Sequence, residues 1–315
     1  GRSQGGLPPD EVVQTESDIL RDSMRVIETY HDSSKFSMLR VGVAPCSPFS
    51  VSQDLLRESA NLARSYGVRM HTHLAETKDE EDFCLEKLGM RPLDLMEETG
   101  WLGNDVWYAH GIWFNDQEIM KMGSCGCGVA HCPSSNMKLA SGTMRIMDML
   151  KAGVKVGFGV DGSASNDSSN ILLDLKVMNL LHSLQHGLKA LSAEDCLAIA
   201  TRGSSKVLGW EDSIGSLEVG KAADLFMIDT TRLEFAGARF NDTALPILTG
   251  TPKVDMTIVG GKIVVEEGRL VNIDEGNLAI RAQKAAERML ETASKHTKVN
   301  YRKSRMGNSA TLTRI

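Results

Sequence analysis

The sequence predicts an α/β protein, the C-terminal part of a (β/α)8 barrel joined to a small composite β-sandwich. Short apolar strands alternate with amphipathic helical stretches from about residue 38 to about residue 210, the order that right-handed βαβ crossovers require. Each strand stays apolar until its last residues and then turns polar, at Pro45-Cys46-Ser47-Pro48, His73-Leu74-Ala75-Glu76, His110-Gly111, His131-Cys132-Pro133-Ser134-Ser135-Asn136 and Asp161-Gly162-Ser163. Chemistry gathered at the carboxyl ends of successive parallel strands is the arrangement of a barrel rim. Beyond residue 212 the pattern changes to Gly-rich turns and short β runs, which marks a second, smaller unit.

Taken in order, residues 1–9 read as a loop, and apolar spacing at Val12, Val13, Ile19, Leu20, Met24 and Ile27 predicts a helix from about Asp10 to Tyr30. A strand follows over Met38–Ala44. Ser52 is placed to cap a helix that runs to about Tyr66 and stops at Gly67. The strand Val68–Leu74 leads to helical sequence near 79–100, then to strand Val106–His110, a short helix at 116–122 and strand Gly128–His131. Another helix near 144–151 precedes strand Val154–Val160, and a long helical region over 169–209 breaks near Gly187. Leu225–Ile228 reads as a strand, Val254–Val259 and Lys262–Val265 as a hairpin with a Gly260-Gly261 turn, and Arg269–Val271 as a last short strand. Residues 277–295 are helical in pattern, and the final twenty or so are a polar, basic tail. The predicted boundaries are therefore 1–212 for the partial barrel, 213–275 for the sandwich segment and 276–315 for the terminal helix and tail.

Composition narrows the function. A chain of 315 residues with 42% hydrophobic and 24% charged residues is ordinary for a globular protein with a large core. Its net charge of -6, with no basic stripe, offers no electrostatic case for nucleic acid. No apolar run approaches the roughly 20 residues of a membrane span. The cysteines Cys46, Cys84, Cys125, Cys127, Cys132 and Cys196 form no paired Cys-x-x-Cys set, so a zinc ribbon is excluded. Cys125 and Cys127 flank one glycine in a strand-like run and read as buried thiols. A reducing, cytoplasmic setting is expected. No signal peptide is visible, and Gly1 stands in what reads as a loop, so a segment of a longer protein is expected.

The chemistry centres on His71-Thr72-His73-Leu74-Ala75-Glu76. Imidazole nitrogen is a ready zinc ligand, and a nearby glutamate can act as general acid/base without ligating. Alone, His-x-x-Glu is a weak signal, because a satisfied core histidine is the commoner explanation. His71 and His73 are two apart on a strand and share a face, so both could hold one ion. Gly157-Phe158-Gly159-Val160-Asp161-Gly162 matches a dinucleotide-binding pattern, but an aspartate sits inside it and no helix opens at its third glycine. The cytidine-deaminase signature, His-x-Glu followed by Pro-Cys-x-x-Cys, is absent.

His73-Leu74-Ala75-Glu76, Ala109-His110-Gly111, His131 to Asn136 and Val160-Asp161-Gly162-Ser163-Ala164-Ser165-Asn166 resemble, in order, the last four strand ends of the amidohydrolase superfamily. Gly215 to Asp224 resembles that family's return to its sandwich. The stretches GGLPPD, APCSPFSVS, HTHLAET, HCPSSNMKL and GVDGSASNDSSN most resemble the 8-oxoguanine deaminases within it.

The resemblance implies a metal-dependent hydrolase. His73 would be a metal ligand from the fifth strand, Glu76 the proton shuttle, and His110 the group that orients the attacking hydroxide and the substrate. Asp161 would be a metal ligand that also takes a proton from water. His71 would have no ligand role and point elsewhere in the barrel wall. His131 would steady the loop after its strand or reach the substrate. Cys46 and Ser47 are candidates for the pocket wall, where guanine deaminases carry an Arg-Phe pair in place of Ala44-Pro45-Cys46. The implied cofactor is Zn2+, with Fe2+ as an alternative. The implied partner is a small purine or related heterocycle, the implied state a homo-oligomer, and the implied reaction 8-oxoguanine to urate plus ammonia. Isoxanthopterin and hydroxytriazine deamination, or a metal-free remnant of the fold, remain alternatives. A dihydropyrimidinase-like activity is disfavoured because Val41-Gly42-Val43-Ala44 has no lysine. The family's His-x-His pair on the first strand is not found in these residues, so a site of His73 and Asp161 alone is expected to bind metal weakly and the segment alone to be inactive.

Overall fold

The structure is a computed structural model that describes residues 9–240, 243–251 and 253–301. Most of the predicted leading loop and C-terminal tail lies outside them.

Helix α1 spans Glu16–Tyr30, shorter than its apolar spacing suggests. The Thr15 hydroxyl accepts the Asp18 N–H at 3.2 Å and fixes the start there, while Asp10–Val12 forms a separate 3-10 turn. The strand expected over Met38–Ala44 is only β1, Gly42–Val43. The reason is competition for hydrogen bonds. The Val41 N–H donates to His31 Nδ1 at 3.1 Å and the Leu39 carbonyl accepts from Asp32 N–H, so this stretch is tied to the end of α1 instead of the sheet.

Helix α2 (Gln53–Tyr66) begins at the Ser52 cap, whose hydroxyl accepts Leu55 N–H, and ends at Gly67 in left-handed conformation. Next come β2 (Arg69–Leu74), α3 (Lys78–Leu88), α4 (Pro92–Glu98) and β3 (Val106–His110). The predicted single helix over 79–100 is thus two, divided where Gly89 takes φ 71° and Pro92 opens the second. Then follow α5 (Asp116–Cys125), β4 (Gly128–His131), α6 (Pro133–Lys138), α7 (Ile146–Lys151), β5 (Lys155–Phe158) and α8 (Ser163–Asn166). Cys125 closes a helix, so Cys125 and Cys127 do not share a strand; Cys127 is buried just ahead of β4.

The strands form one parallel sheet in the order β1-β2-β3-β4-β5. Among the described residues no strand pairs with the outer edge of β1 or β5, so the sheet is open and a closed barrel is not seen. In β2, Met70, Thr72 and Leu74 are buried on the helix-covered face while Arg69, His71 and His73 are half-buried on the other. The core lies under the first face, where Met70, Leu74, Tyr108 and Val129 pack with Met96, Trp101 and Met122. Trp101 Nε1 donates to the Leu56 carbonyl, and Tyr108 hydroxyl to that of Trp101, so both large rings keep their polar atoms satisfied.

Helices α9 (Ile171–His186), α10 (Ala193–Ala198) and α11 (Ser204–Leu208) follow, the last two joined by a π turn at Ile199–Gly203 that lies against β5. A second, antiparallel sheet has the order β6 (Leu225–Met227), β7 (Met256–Val259), β8 (Lys262–Glu266) and β9 (Arg269–Leu270). Its β7–β8 hairpin turns at Gly260 and Gly261, both with positive φ, as the Gly-Gly pair requires. A composite sandwich needs a second antiparallel layer, and among the described residues there is only this one antiparallel sheet. Between β6 and β7, helix α12 (Leu245–Thr249) buries Leu245 and Ile247 and packs on α9, an element the sequence pattern did not suggest. Helix α13 (Glu275–Thr297) buries no residue. Among the described residues, no helix is long and apolar enough to cross a membrane.

Gly203 holds the π turn on the sheet. A Cβ there would stand 2.2 Å from the Val156 carbonyl oxygen, well inside contact distance. Gly203→Ala is expected to lower stability by roughly 1–3 kcal/mol, read as the shift in a urea midpoint. An unchanged midpoint would show that the turn does not press on β5.

Candidate functional site

The site forms where three strands stop being extended. Ala75, His110 and Asp161 have φ of 52°, 73° and 65°, left-handed values that a residue with a Cβ adopts only against a cost. Such outliers cost about 1–3 kcal/mol each and need surrounding structure to hold them. The restraint at the end of β2 is a set of backbone hydrogen bonds. The Leu74 carbonyl accepts Gly111 N–H at 3.1 Å, and the Ala75 carbonyl accepts Ile112 and Trp113 N–H at 2.8 and 2.9 Å.

These turns bring His73, His110 and Asp161 together, each offering one ligand atom, all within 4.8 Å of one another. His73 Nδ1 lies 2.7 Å from the Cys46 carbonyl, which can only accept. Nδ1 therefore carries a hydrogen, which leaves Nε2 as the ligating nitrogen once it is unprotonated. Hydrogen bonding to Cys46, first through its thiol and then its carbonyl, outweighs burial and raises the imidazole to about 9, with Glu76 adding a smaller pull. A cation at this nitrogen would have to displace a proton.

His110 is 1% exposed, and its Nε2 is a buried polar atom with no hydrogen-bond partner. It stands 3.6 Å from Glu76 Oε2 and 3.9 Å from Asp161 Oδ2. Burial lowers its pKa to about 4 against the opposing pull of Asp161, so the ring is neutral at pH 7. A buried nitrogen left unpaired costs about 1–3 kcal/mol, which a cation between it and the two carboxylates would offset. The donor set, two imidazoles and a carboxylate, suits zinc. Asn136 touches His110 Nδ1 through its side-chain amide at 2.9 Å. As placed, the amide nitrogen faces the ring and donates to Nδ1 while the amide oxygen is buried without a partner; with the amide turned over, its oxygen would fix hydrogen on Nδ1 and leave Nε2 free to ligate.

Burial tends to raise Asp161, but hydrogen bonds from Ser135 Oγ (2.5 Å), Gly162 N–H (2.7 Å) and Ser165 Oγ (3.2 Å) hold its carboxyl below the ordinary range. Glu76 moves the other way. Burial, and then the like charge of Asp161, raise its carboxyl although His73 opposes the shift. The two neighbouring carboxyls are thus pushed in opposite directions, the pattern that suits one to act as base and the other as acid.

Not every residue singled out by sequence joins the cluster. His71 shares the His73 face. It sits one layer deeper, with Nδ1 3.2 Å from the Trp107 carbonyl and its ring stacked on Trp107, and is outside the ligand group. Cys46 approaches through its carbonyl and thiol, while Ser47 Oγ pairs with Ser50 Oγ at 3.0 Å. His131 is 0% exposed, so it has no surface to offer a substrate. Its Nε2 lies 3.0 Å from Nε2 of His182 on α9. Asn136, Ser135 and Ser165 escaped assignment although they lie inside quoted motifs, because sequence does not say which polar residue of a turn faces inward. His182 carried no signal at all.

Residues 6–264 match the sequence profile of the amidohydrolase family. The chain belongs to this family. It is 44% identical over 290 residues to an 8-oxoguanine deaminase of Pseudomonas aeruginosa, covering 92% of this chain and 64% of that protein. It is 39% identical over 294 residues to a hydroxydechloroatrazine ethylaminohydrolase of Pseudomonas sp. strain ADP, covering 91% and 60%. The chain thus spans less than two thirds of the length of these relatives. Among solved structures it resembles the atrazine chlorohydrolase of Arthrobacter aurescens in complex with zinc, at TM-score 0.86 and 32% identity over 90% of this chain and 63% of that one.

The His131–His182 pair generates a prediction about acid stability. Burial keeps His182 at about 4, below its ordinary 6.5, and burial also holds His131 well below the usual range. The unfolded chain takes up these protons near pH 6.5 and the folded chain does not, so stability is full above that pH and is lost as pH falls toward 4. Calorimetric midpoints are expected to drop across this window, and His182→Gln to make the drop shallower. Equal slopes in the two proteins would show that the pair does not carry it.

Proposed function

We propose that the protein is a metal-dependent hydrolytic deaminase of a planar heterocycle, with 8-oxoguanine as its substrate. The observation that supports it best is the convergence of His73, His110 and Asp161 ligand atoms within 4.8 Å, with the Glu76 carboxyl beside them. His73 and Asp161 would hold the ion, with His110 Nε2 in reach of it. Zinc bound there supplies the acidity that makes water a nucleophile at neutral pH.

The chain's own residues account for the proton transfers. Asp161, held ionised by three hydrogen bonds, accepts a proton from the attacking water. His110 Nε2, aimed by Asn136, orients the oxygen as its bond to the amine-bearing carbon forms. Glu76, whose carboxyl burial raises above its ordinary range, gives a proton to the adjacent ring nitrogen. It then takes the proton of the newly bonded hydroxyl and relays it to the amine, the carbon–nitrogen bond breaks, ammonia leaves a ring carbonyl behind, and the proton held by Asp161 returns to Glu76. Support for 8-oxoguanine comes from the 44% identity to a deaminase of that base and from Ala44-Pro45-Cys46 standing where guanine deaminases carry arginine. The 39% identity to a hydroxytriazine aminohydrolase favours that class as the second reading.

Ammonia release over 8-oxoguanine, guanine, isoxanthopterin and hydroxyatrazine tests the choice. The highest kcat/KM is expected with 8-oxoguanine, and a higher value with hydroxyatrazine would reassign the substrate. Glu76→Gln should cut kcat by at least about 100-fold with metal content unchanged; retained turnover would remove Glu76 from the proton path. His73→Ala is expected to lose zinc and turnover together, whereas His71→Ala keeps zinc, both read by metal analysis. Zinc lost from His71→Ala would place that ring in the ligand set.

A further inference from the structure

Glu80 is the third residue of α3, in an acidic first turn with Asp79 and Glu81 that reads as an ordinary complement to the helix dipole. Asp79 is exposed as such residues are, but Glu80 is 1% exposed. A glutamate at this position normally reaches back to the N–H of the capping residue, here Thr77. Glu80 reaches further: its Oε1 accepts the Ala75 N–H at 2.7 Å.

We infer that Glu80 is a positioning residue that aims the Glu76 carboxyl by binding the backbone N–H of Ala75, the residue before it. The inference rests on Glu76 being the general acid/base proposed above. Ala75 is 1% exposed and left-handed at φ 52°. Its carbonyl is pinned from the β3 side by Ile112 and Trp113 N–H, and its amide is pinned from the α3 side by Glu80. With Glu80 removed, the Ala75 amide loses its acceptor, and the hydrogen bond from the α3 side no longer opposes relaxation of Ala75 to negative φ. That rotation would swing Glu76 away from His110 Nε2. Burying a carboxyl here is unfavourable, and burial raises Glu80 to about 7 while hydrogen bonding to the backbone of the turn acts in the other direction. The site keeps a group that is costly to bury and that touches no ligand atom.

The experiment compares Glu80→Ala, Glu80→Gln, Glu76→Gln and the double variants in the zinc-loaded full chain, reading kcat, KM and zinc per chain. A displacement of about 1 Å in a catalytic group costs on the order of 100-fold, so Glu80→Ala is expected to lower kcat by roughly 10–100-fold with KM and zinc unchanged. Glu80→Gln keeps one acceptor oxygen and should recover much of this loss. On the Glu76→Gln background neither Glu80 change should lower kcat further, because a residue acting only through Glu76 has nothing left to aim. Losses that multiply in the double variants, or that track zinc content, would overturn the inference. If Glu80→Ala does not fold, the Glu80→Gln pair carries the same comparison, since a neutral amide oxygen accepts the Ala75 N–H less strongly than a carboxylate and a several-fold loss should vanish on the Glu76→Gln background. Full activity of Glu76→Gln would instead refute the underlying role of Glu76, whatever Glu80 does.

Discussion

A neutral imidazole nitrogen, buried between two carboxylates and bonded to nothing, is the constraint on which the site depends. His110 Nε2 lies 3.6 Å from Glu76 and 3.9 Å from Asp161. Neither contact is a hydrogen bond, so the desolvation of this atom is not compensated by protein. Such an arrangement is stable in use only if something positive or polar completes it. Everything around it holds that geometry open: Asn136 on Nδ1, the Cys46 carbonyl on His73, and the Ser135, Ser165 and Gly162 donors on Asp161.

The backbone shares this burden. A strand that continued straight would carry its last side chain past the rim; a left-handed residue turns the chain at once and leaves the functional group at the strand end. Ala75, His110 and Asp161 all do this without being glycine. The cost is met by hydrogen bonds between neighbouring strand ends, which tie the Glu76 turn to the His110 turn so that one cannot shift without the other. Strain, burial and function therefore share the same few residues.

The histidines show how position decides chemistry. His71 and His73 stand two apart on one face, yet burial against Trp107 lowers the first to about 4 while bonding to Cys46 raises the second to about 9. His131 and His182 are packed away together, Nε2 against Nε2, and burial depresses both rings. A residue type alone assigns none of these roles.

Sequence by itself determined the strand–helix alternation, the polar strand ends and the identity of the motif residues, because hydrophobic period and turn chemistry are local properties. It therefore placed His73, Glu76, His110 and Asp161 at strand ends, in the right order along the chain. It misjudged β1, where backbone groups of Leu39 and Val41 pair with the end of α1, and it assigned Glu80 no role. Those outcomes depend on partners far along the chain or on which way a side chain turns. Only the tertiary structure decided that His71 lies a layer below the site, that His131 faces His182, and that Asn136 and Glu80 hold the groups on either side of the cluster. The reason is physical: burial and hydrogen-bond partnership are set by the packing of whole elements, and no residue carries that information in its own neighbourhood.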